Sequence, residues 1–292
     1  MTRTTDIAIT AIAPAIWGST YLVTTEFLPQ GYPLTVAMLR ALPAGLLLML
    51  VVRRLPHGLW WARIFALGAL NFSIFWWLLF IAAYTLPGGV AATVGAVQPL
   101  IVVFLARAFL GARIRPLSVI AALAGMAGVA LLILNAQATL NPIGIIAGLG
   151  GAASMATGTV LSRRWQPPVS LLTFTAWQLT AGGLLLLPAA LWFEPPLPAL
   201  TPANLTGFVY MGLISAAFTY AIWFRGIARI EPAAVSILGF LSPLTAVILG
   251  WIVLGQSLNA LQFVGVFVVL ASVWLGQRAG RSRIASPAKV TP

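Results

Sequence analysis

Apolar residues run along this chain in ten long stretches separated by short polar connectors. The stretches fall at about 7–28, 33–52, 64–84, 88–109, 116–134, 142–161, 170–192, 204–223, 232–254 and 260–277. Each is roughly 18–23 residues, enough to cross ~30 Å of hydrocarbon as an α-helix. The connectors then sort by charge. Arg3 precedes the first stretch, and Arg53, Arg54 and Arg63 occupy the second connector. Arg107, Arg113 and Arg115 surround the fourth, Arg163 and Arg164 the sixth, Arg225 and Arg229 the eighth. Arg278, Arg281, Arg283 and Lys289 follow the last stretch, and the odd-numbered connectors hold neither Lys nor Arg. This alternation is the positive-inside rule for ten spans with both termini in the cytoplasm. Moving the count by one helix would destroy it. The pattern predicts an all-α integral membrane protein of ten transmembrane helices.

Composition agrees with that solvent. The chain is 61% hydrophobic and only 7% charged, whereas about a quarter of a soluble domain is charged. The net charge of +12 is therefore topology, directed at anionic headgroups, and not a nucleic-acid footprint. There are no cysteines, which excludes disulfide and thiol chemistry. The start has the look of a signal peptide, with Arg3 and then Ala11-Ile12-Ala13, but the apolar run continues to Leu28. It is read as an uncleaved first span. The polar tail from Arg278 has no periodic pattern and is expected to be disordered.

The chain also repeats itself. Leu34-Thr35-Val36-Ala37-Met38-Leu39-Arg40, running on to Gly45-Leu46-Leu47-Leu48, resembles Leu172-Thr173-Phe174-Thr175-Ala176-Trp177-Gln178, running on to Gly183-Leu184-Leu185-Leu186. Gly95-Ala96-Val97-Gln98-Pro99-Leu100 matches Gly239-Phe240-Leu241-Ser242-Pro243-Leu244, and Leu110-Gly111 matches Leu254-Gly255. Five is odd, so a second copy of five helices enters the membrane from the opposite side. The expected organisation is two inverted five-helix repeats, 1–138 and 139–277, with a basic cytoplasmic tail at 278–292. Inverted repeats are the ground plan of many secondary transporters, with the substrate between the copies near the midplane.

Candidate functional residues follow from this plan. Pro99 and Pro243 each remove a helix-interior hydrogen bond, freeing the carbonyls of Gly95 and Gly239. These four are the candidate hinge residues, either lining a path or serving as packing kinks. Gln98 and Ser242 beside them are the first polar contacts. Arg40 is the one charge well inside a span, where a charge costs about 2.5–3.5 kcal/mol at mid-bilayer. Two roles suit it: an anchor for a substrate carboxylate, or a structural arginine that snorkels outward or pairs with Glu26. The acids Asp6, Glu26, Glu194 and Glu231 all lie near helix ends. Proton coupling needs a buried titratable group, and only Glu26 is a candidate, so facilitated diffusion is favoured over proton antiport. Trp60 and Trp61 in a cytoplasmic loop, and Trp192 near an outer end, fit an interfacial belt. Within spans, Trp17, Tyr84, Trp177, Tyr210 and Tyr220 are aromatic candidates, and Phe72, Phe75 and Trp76 share a helix face by their spacing. Such a face can stack on a flat substrate or pack between helices. Ser19, Thr93, Ser154 and Thr219 are polar cavity candidates; Asn71, Thr157 and Ser215 are further in-span polar residues. Each could equally bond a neighbouring helix. Gly150, Ser154 and Gly158 read as a close-packing stripe. Gly148-Leu149-Gly150-Gly151-Ala152-Ala153 superficially fits a dinucleotide fingerprint but lies inside an apolar helix with no preceding strand; with no zinc motif or nucleophile elbow present, neither an enzyme nor a cofactor is expected.

Trp17-Gly18-Ser19-Thr20, Arg40, Ala83-Tyr84-Thr85 and the two Pro-Leu pairs together resemble the ten-helix EamA-type members of the drug/metabolite transporter superfamily over about residues 7–277. Members often carry Glu after the Gly ending helices four and nine; here Ala112 and Gln256 stand there. The resemblance implies a bacterial inner-membrane exporter of small neutral or zwitterionic metabolites, amino acids including aromatic ones. The inverted repeat adds the expectation of two halves rocking about a central site by alternating access. The expected partners are a small-molecule substrate and the lipid bilayer, with no nucleic acid and a monomer as the working unit. A proton-coupled antiporter of drugs or other metabolites, or a channel, is the alternative.

Overall fold

In a computed structural model, residues 2–86, 88–133, 141–255 and 257–280 are described. The side chains of residues 21, 83, 84 and 88–90 fall outside that description, as do Gln256 and the tail beyond residue 280. Ten helices long and apolar enough to cross a membrane are present among the described residues. We number them α1 (Arg3–Phe27), α2 (Pro33–Val52), α3 (Trp60–Gly68, Ala69–Ser73 and Ile74–Thr85) and α4 (Gly88–Gly95 and Gln98–Leu110). They continue with α5 (Pro116–Ile133), α6 (Pro142–Arg164), α7 (Leu171–Phe193) and α8 (Pro202–Val209, Tyr210–Phe218 and Thr219–Arg229). The last two are α9 (Pro232–Leu238 and Leu241–Leu254) and α10 (Ala260–Ala279).

Local sequence explains the boundaries. Pro33, Pro116, Pro142, Pro202 and Pro232 each open a helix, where proline's missing N–H is an orphan in any case. Asn141, Ser170, Thr201 and Asn259 cap α6, α7, α8 and α10 through side-chain oxygens. Gly111 and Gly255 end α4 and α9 with φ of 67° and 64°, a left-handed stop that glycine takes without steric cost. Two expected boundaries move. Trp60, Trp61 and Arg63 belong to the first turn of α3, and Arg225 and Arg229 to the end of α8. Helices run on through the interface because their backbone groups need partners there as well, while long basic side chains still reach water.

Six interfaces dominate the packing: α2–α7, α5–α10, α3–α6, α1–α9, α4–α6 and α1–α8. α2 and α7 run antiparallel. Glu194 at the end of α7 accepts the Leu34 and Thr35 N–H groups at 2.6 and 2.7 Å. At the other end, Trp177 Nε1 donates to Arg54 O at 2.6 Å. α5 and α10 do the same, with Gln262 Nε2 on Leu132 O at 3.1 Å and Arg115 on Ala279 O at the far end.

The arginines gather at one end of the bundle. Arg3 donates to Gln277 O at 3.1 Å and Arg164 to Phe109 O at 2.8 Å. Arg225 and Arg229 meet Asp6, and Arg115 meets Glu231 at 2.8 Å. This is the basic end of the bundle.

Candidate functional site

An aromatic cluster sits where α1, α3 and α8 meet. Phe72 and Trp76 on α3, and Tyr220, Trp223 and Phe224 on α8, are all at most 3% exposed. The Trp17 ring lies 5.0 Å from both Tyr220 and Trp223, and Phe72 lies 4.6 Å from Tyr220. Most of these pairs are tilted or edge-to-face, the geometry ring quadrupoles prefer. Phe75 packs against the same cluster.

Polar groups rim it on the α2 side. Trp17 Nε1 donates to Thr219 Oγ1 at 2.9 Å, and the Ser19 and Tyr210 hydroxyls share a hydrogen bond of 2.5 Å. The Thr20 and Ser215 hydroxyls are 3.2 Å apart. Arg40 donates to both Ser215 O and Ser215 Oγ at 2.9 Å. Its guanidinium lies 4.8 Å from the Trp76 ring centroid, a cation–π contact. Arg40 therefore turns into the bundle. Glu26 is exposed at the end of α1, and none of the ion pairs among the described residues joins the two.

Contacts with α8 and α9 account for each residue of the run Trp17-Gly18-Ser19-Thr20. Three of its side chains bond α8. The fourth has none because α9 crosses there: a Cβ on Gly18 would meet Ser242 O at 2.5 Å and Thr245 Cβ at 2.6 Å.

α3 and α8 each contain a π-helical segment, Ala69–Ser73 and Tyr210–Phe218. Such segments shift the backbone ladder by one residue and recur at functional sites. Side chains from the other half of the chain bond carbonyls within them. Ser154 Oγ on α6 takes Leu70 O at 2.8 Å, as Arg40 takes Ser215 O. A neutral polar centre accompanies the first segment. Asn71 Nδ2 donates to Gln178 Oε1 at 2.8 Å and Ser162 Oγ at 3.2 Å. Gln178 stands where the repeat puts Arg40's counterpart, and it is fully buried.

α4 and α9 are interrupted rather than bent. A turn at residues 96–97 divides α4 and one at 239–240 divides α9. Pro99 and Pro243 fall in the first turn of the second segment, where a missing N–H removes little. The expected free carbonyl at Gly239 is corrected: Ser242 N–H bonds it at 3.0 Å, because the chain tightens into a three-residue turn. Around Gly95 a Cβ would meet nothing within 4 Å.

The other candidates lie apart from the aromatic cluster. Trp177 packs with Ile64, Leu67 and Phe174 towards the basic end. Thr93 is half-buried on the first segment of α4, and Gln98 and Ser242 are half-buried at the two breaks. The Gln98 Nε2 atom is buried with no hydrogen-bond partner among the described residues. Tyr84's side chain lies outside the described residues. Among those residues no three His, Cys, Asp or Glu converge as metal ligands.

A protein-family model described as the EamA-like transporter family matches residues 5–134 and again residues 142–276. The chain belongs to the EamA-like transporter family. It is 45% identical to Protein PecM of Dickeya dadantii (strain 3937) over 91% of this chain and 90% of that one. It is 30% identical to an uncharacterized inner membrane transporter, YedA, of Escherichia coli (strain K12), over 89% of this chain and 86% of that one. A crystal structure of a protein 20% identical superposes with a TM-score of 0.81, covering 96% of this chain and all of that one; this likeness concerns the fold alone. The EamA-family chain is thus a membrane transporter, multi-pass in a bacterial inner membrane.

Sequence reasoning missed Trp223 and Phe224, named Thr20 only within the Trp17-Gly18-Ser19-Thr20 run, and gave Tyr220 and Ser215 no special place. A signal was available. In the register set by Gly95 and Gly239, Tyr220 is the counterpart of Trp76 and Ser215 that of Asn71.

Proposed function

We propose that this transporter exports small neutral or zwitterionic metabolites, amino acids including aromatic ones, as a facilitative carrier working by alternating access. The observation that carries the reading is the aromatic cluster of Trp17, Phe72, Trp76 and Tyr220 with the Arg40 guanidinium stacked on it. Aromatic faces suit a flat side chain. A guanidinium suits a carboxylate, which it can bind through two parallel N–H groups. Hydroxyls at Ser19, Thr20, Tyr210 and Thr219 supply the remaining polar contacts a small zwitterion needs.

Several features support two inverted repeats. The counterparts α2 and α7 run antiparallel, as do α5 and α10. Exchanging every helix for its counterpart maps the interfaces onto themselves, α1–α9 onto α4–α6 and α1–α8 onto α3–α6. The two family matches support a division near residue 138. Every dominant interface joins one half of the sequence to the other. The moving bodies are therefore best drawn as α1, α8 and α9 against α3, α4 and α6, with the interrupted α4 and α9 supplying the joints. By the positive-inside rule the basic end faces the cytoplasm.

Facilitated diffusion is supported by the positions of the acids. Asp6 and Glu231 pair with arginines at the basic end, Glu194 caps α2, and Glu26 is exposed. The test is uptake of labelled Trp, Phe and Thr into proteoliposomes, with and without a pH gradient. Saturable uptake indifferent to the gradient is expected. Uptake that requires the gradient would refute the facilitative mechanism, and no uptake in either condition would refute the amino-acid substrates.

A further inference from the structure

If the two bodies alternate, a symmetric intermediate would bury counterpart residues equally. This structure does not. In the register of Gly95 and Gly239, Ala92, Thr93 and Val94 on α4 correspond to Ser236, Ile237 and Leu238 on α9. The α9 residues are 0, 0 and 1% exposed, while the α4 residues are only half-buried. The same holds between α3 and α8: Leu79 and Phe80 are half-buried, and their counterparts Trp223 and Phe224 are each 2% exposed. The first segment of α9 and the last turns of α8 both point to the basic end. The two bodies are thus packed together there and apart at the opposite end.

Named contacts hold that closure. Arg163, on α6, donates to Ile227 O at 3.0 Å and to Ala228 O, the last carbonyls of α8. Cations are favoured at a helix C-terminus, where unsatisfied carbonyls carry partial negative charge. Arg115, in the connector from α4 and directly before α5, donates to Ala279 O of α10 and pairs with Glu231 at the start of α9 at 2.8 Å. The Arg163 contact joins one body to the other, and the Arg115 pair ties α9 to the connector between α4 and α5. By contrast Asp6–Arg225 joins α1 to α8, and Arg164–Phe109 joins α6 to α4; both stay inside one body. The apolar part of the seal is Ala96 at the α4 break, clustered with Ile237, Phe240 and Leu244 of α9.

We infer that Arg163 on the α8 C-terminus and the Arg115–Glu231 pair are the latch of a gate at the basic end, closed in this conformation, and that opening towards the basic side requires both to part. The inference rests on the alternating-access reading above but not on any substrate. A ligand that favours one state shifts the population only by its differential affinity, and removing a contact made in one state acts in the same way.

The chain has no cysteines, so single reporters are clean. Ala92→Cys and Ser236→Cys are placed singly, and labelling by a membrane-impermeant thiol reagent is timed from each face of oriented vesicles. In the parent, Ala92→Cys is expected to label from the face opposite the basic end and Ser236→Cys to be protected. Arg163→Gln, Arg115→Glu and Glu231→Arg should each speed labelling of Ser236→Cys from the basic face about three- to tenfold and slow that of Ala92→Cys. Arg115→Glu with Glu231→Arg should move the rates back towards the parent's, short of full restoration because the bond to Ala279 O is lost, and Arg164→Gln should change neither. Unchanged protection of Ser236→Cys in all three single variants, with Ala92→Cys still reactive, overturns the gate. Equal acceleration in Arg164→Gln and Arg163→Gln also overturns it, since that would be general loosening. Absence of amino-acid transport would leave these rates as they are and would count against the substrate alone.

Discussion

Gly18→Ala tests whether the α1–α9 crossing is as tight as transport requires. The added Cβ would lie 2.5 Å from Ser242 O, 2.6 Å from Thr245 Cβ and 2.9 Å from Ala246 N. Ordinary carbon contacts are about 3.5–4.0 Å, so α1 and α9 must separate by roughly 1 Å. Two of the three obstructing atoms are backbone, which no rotamer change can move aside. Overpacking of this kind costs about 1–3 kcal/mol, or roughly 2–12 °C in melting temperature. The same displacement acts on neighbours in α1. A 1 Å shift would take the Trp17–Thr219 bond from 2.9 Å beyond hydrogen-bonding range. Transport should fall at least about tenfold, the rate equivalent of ~1.4 kcal/mol. The assay is thermal unfolding in detergent alongside initial uptake rate in proteoliposomes. Gly95→Ala is the control for stability, because its Cβ meets nothing; if Gly95 is a joint, its transport slows while its melting does not. Parent-like melting and uptake in Gly18→Ala would refute the account of the crossing.

Arg40→Met should leave melting within about 2 kcal/mol of the parent, because the lost charged hydrogen bonds are offset by removing a charge from the membrane and Thr219 Oγ1 still bonds Ser215 O at 2.8 Å; uptake of zwitterions should drop far more than that of decarboxylated amines, as competition assays would show. Glu194→Ala should cost about 0.5–2 kcal/mol by uncapping α2, read as a lower melting temperature with KM unchanged. Asn71→Leu should cost about 1–3 kcal/mol by orphaning the buried Gln178 amide, and Asn71→Leu with Gln178→Leu should recover part of it, a coupling that a double-mutant cycle measures. Pro99→Ala with Pro243→Ala should slow turnover more than it weakens binding, as equilibrium binding beside single-turnover flux would test.

Much of the architecture was written in one-dimensional signals. Helix count follows from apolar length and arginine spacing because lipid leaves the backbone no alternative to a helix. The polar runs were equally legible: Trp17, Ser19 and Arg40 are conspicuous in an apolar chain, and all three reach α8. The π segments were not, since Ala69–Ser73 and Tyr210–Phe218 carry no proline or glycine pattern that distinguishes them from an α-helix. Carbonyls within them are bonded by Ser154 and Arg40 from elsewhere in the chain, contacts that no local pattern carries. The roles of Trp177 and Ser154 were hidden for a related reason. A tryptophan or serine in a span looks the same whether it faces a cavity or a neighbouring carbonyl. The broken helices show the limit in another way. Pro99 and Pro243 marked the places correctly, but Gly239 O was already bonded by a backbone N–H one turn on.

Because α1 finds its partners on α8 and α9, its insertion and its packing are separated in time. A chain elongating at ~5–20 residues per second would deliver α9 about 10–40 s after α1 has left the ribosome. Through that interval the indole of Trp17 and the hydroxyls of Ser19 and Thr20 face lipid, water or the insertion machinery without their final hydrogen-bond partners. The first five helices alone are then a poor folding unit, with α2 lacking α7 and α5 lacking α10. Native assembly waits for the last third of the chain, and truncation there should strand polar groups at the N-terminus as surely as at the cut.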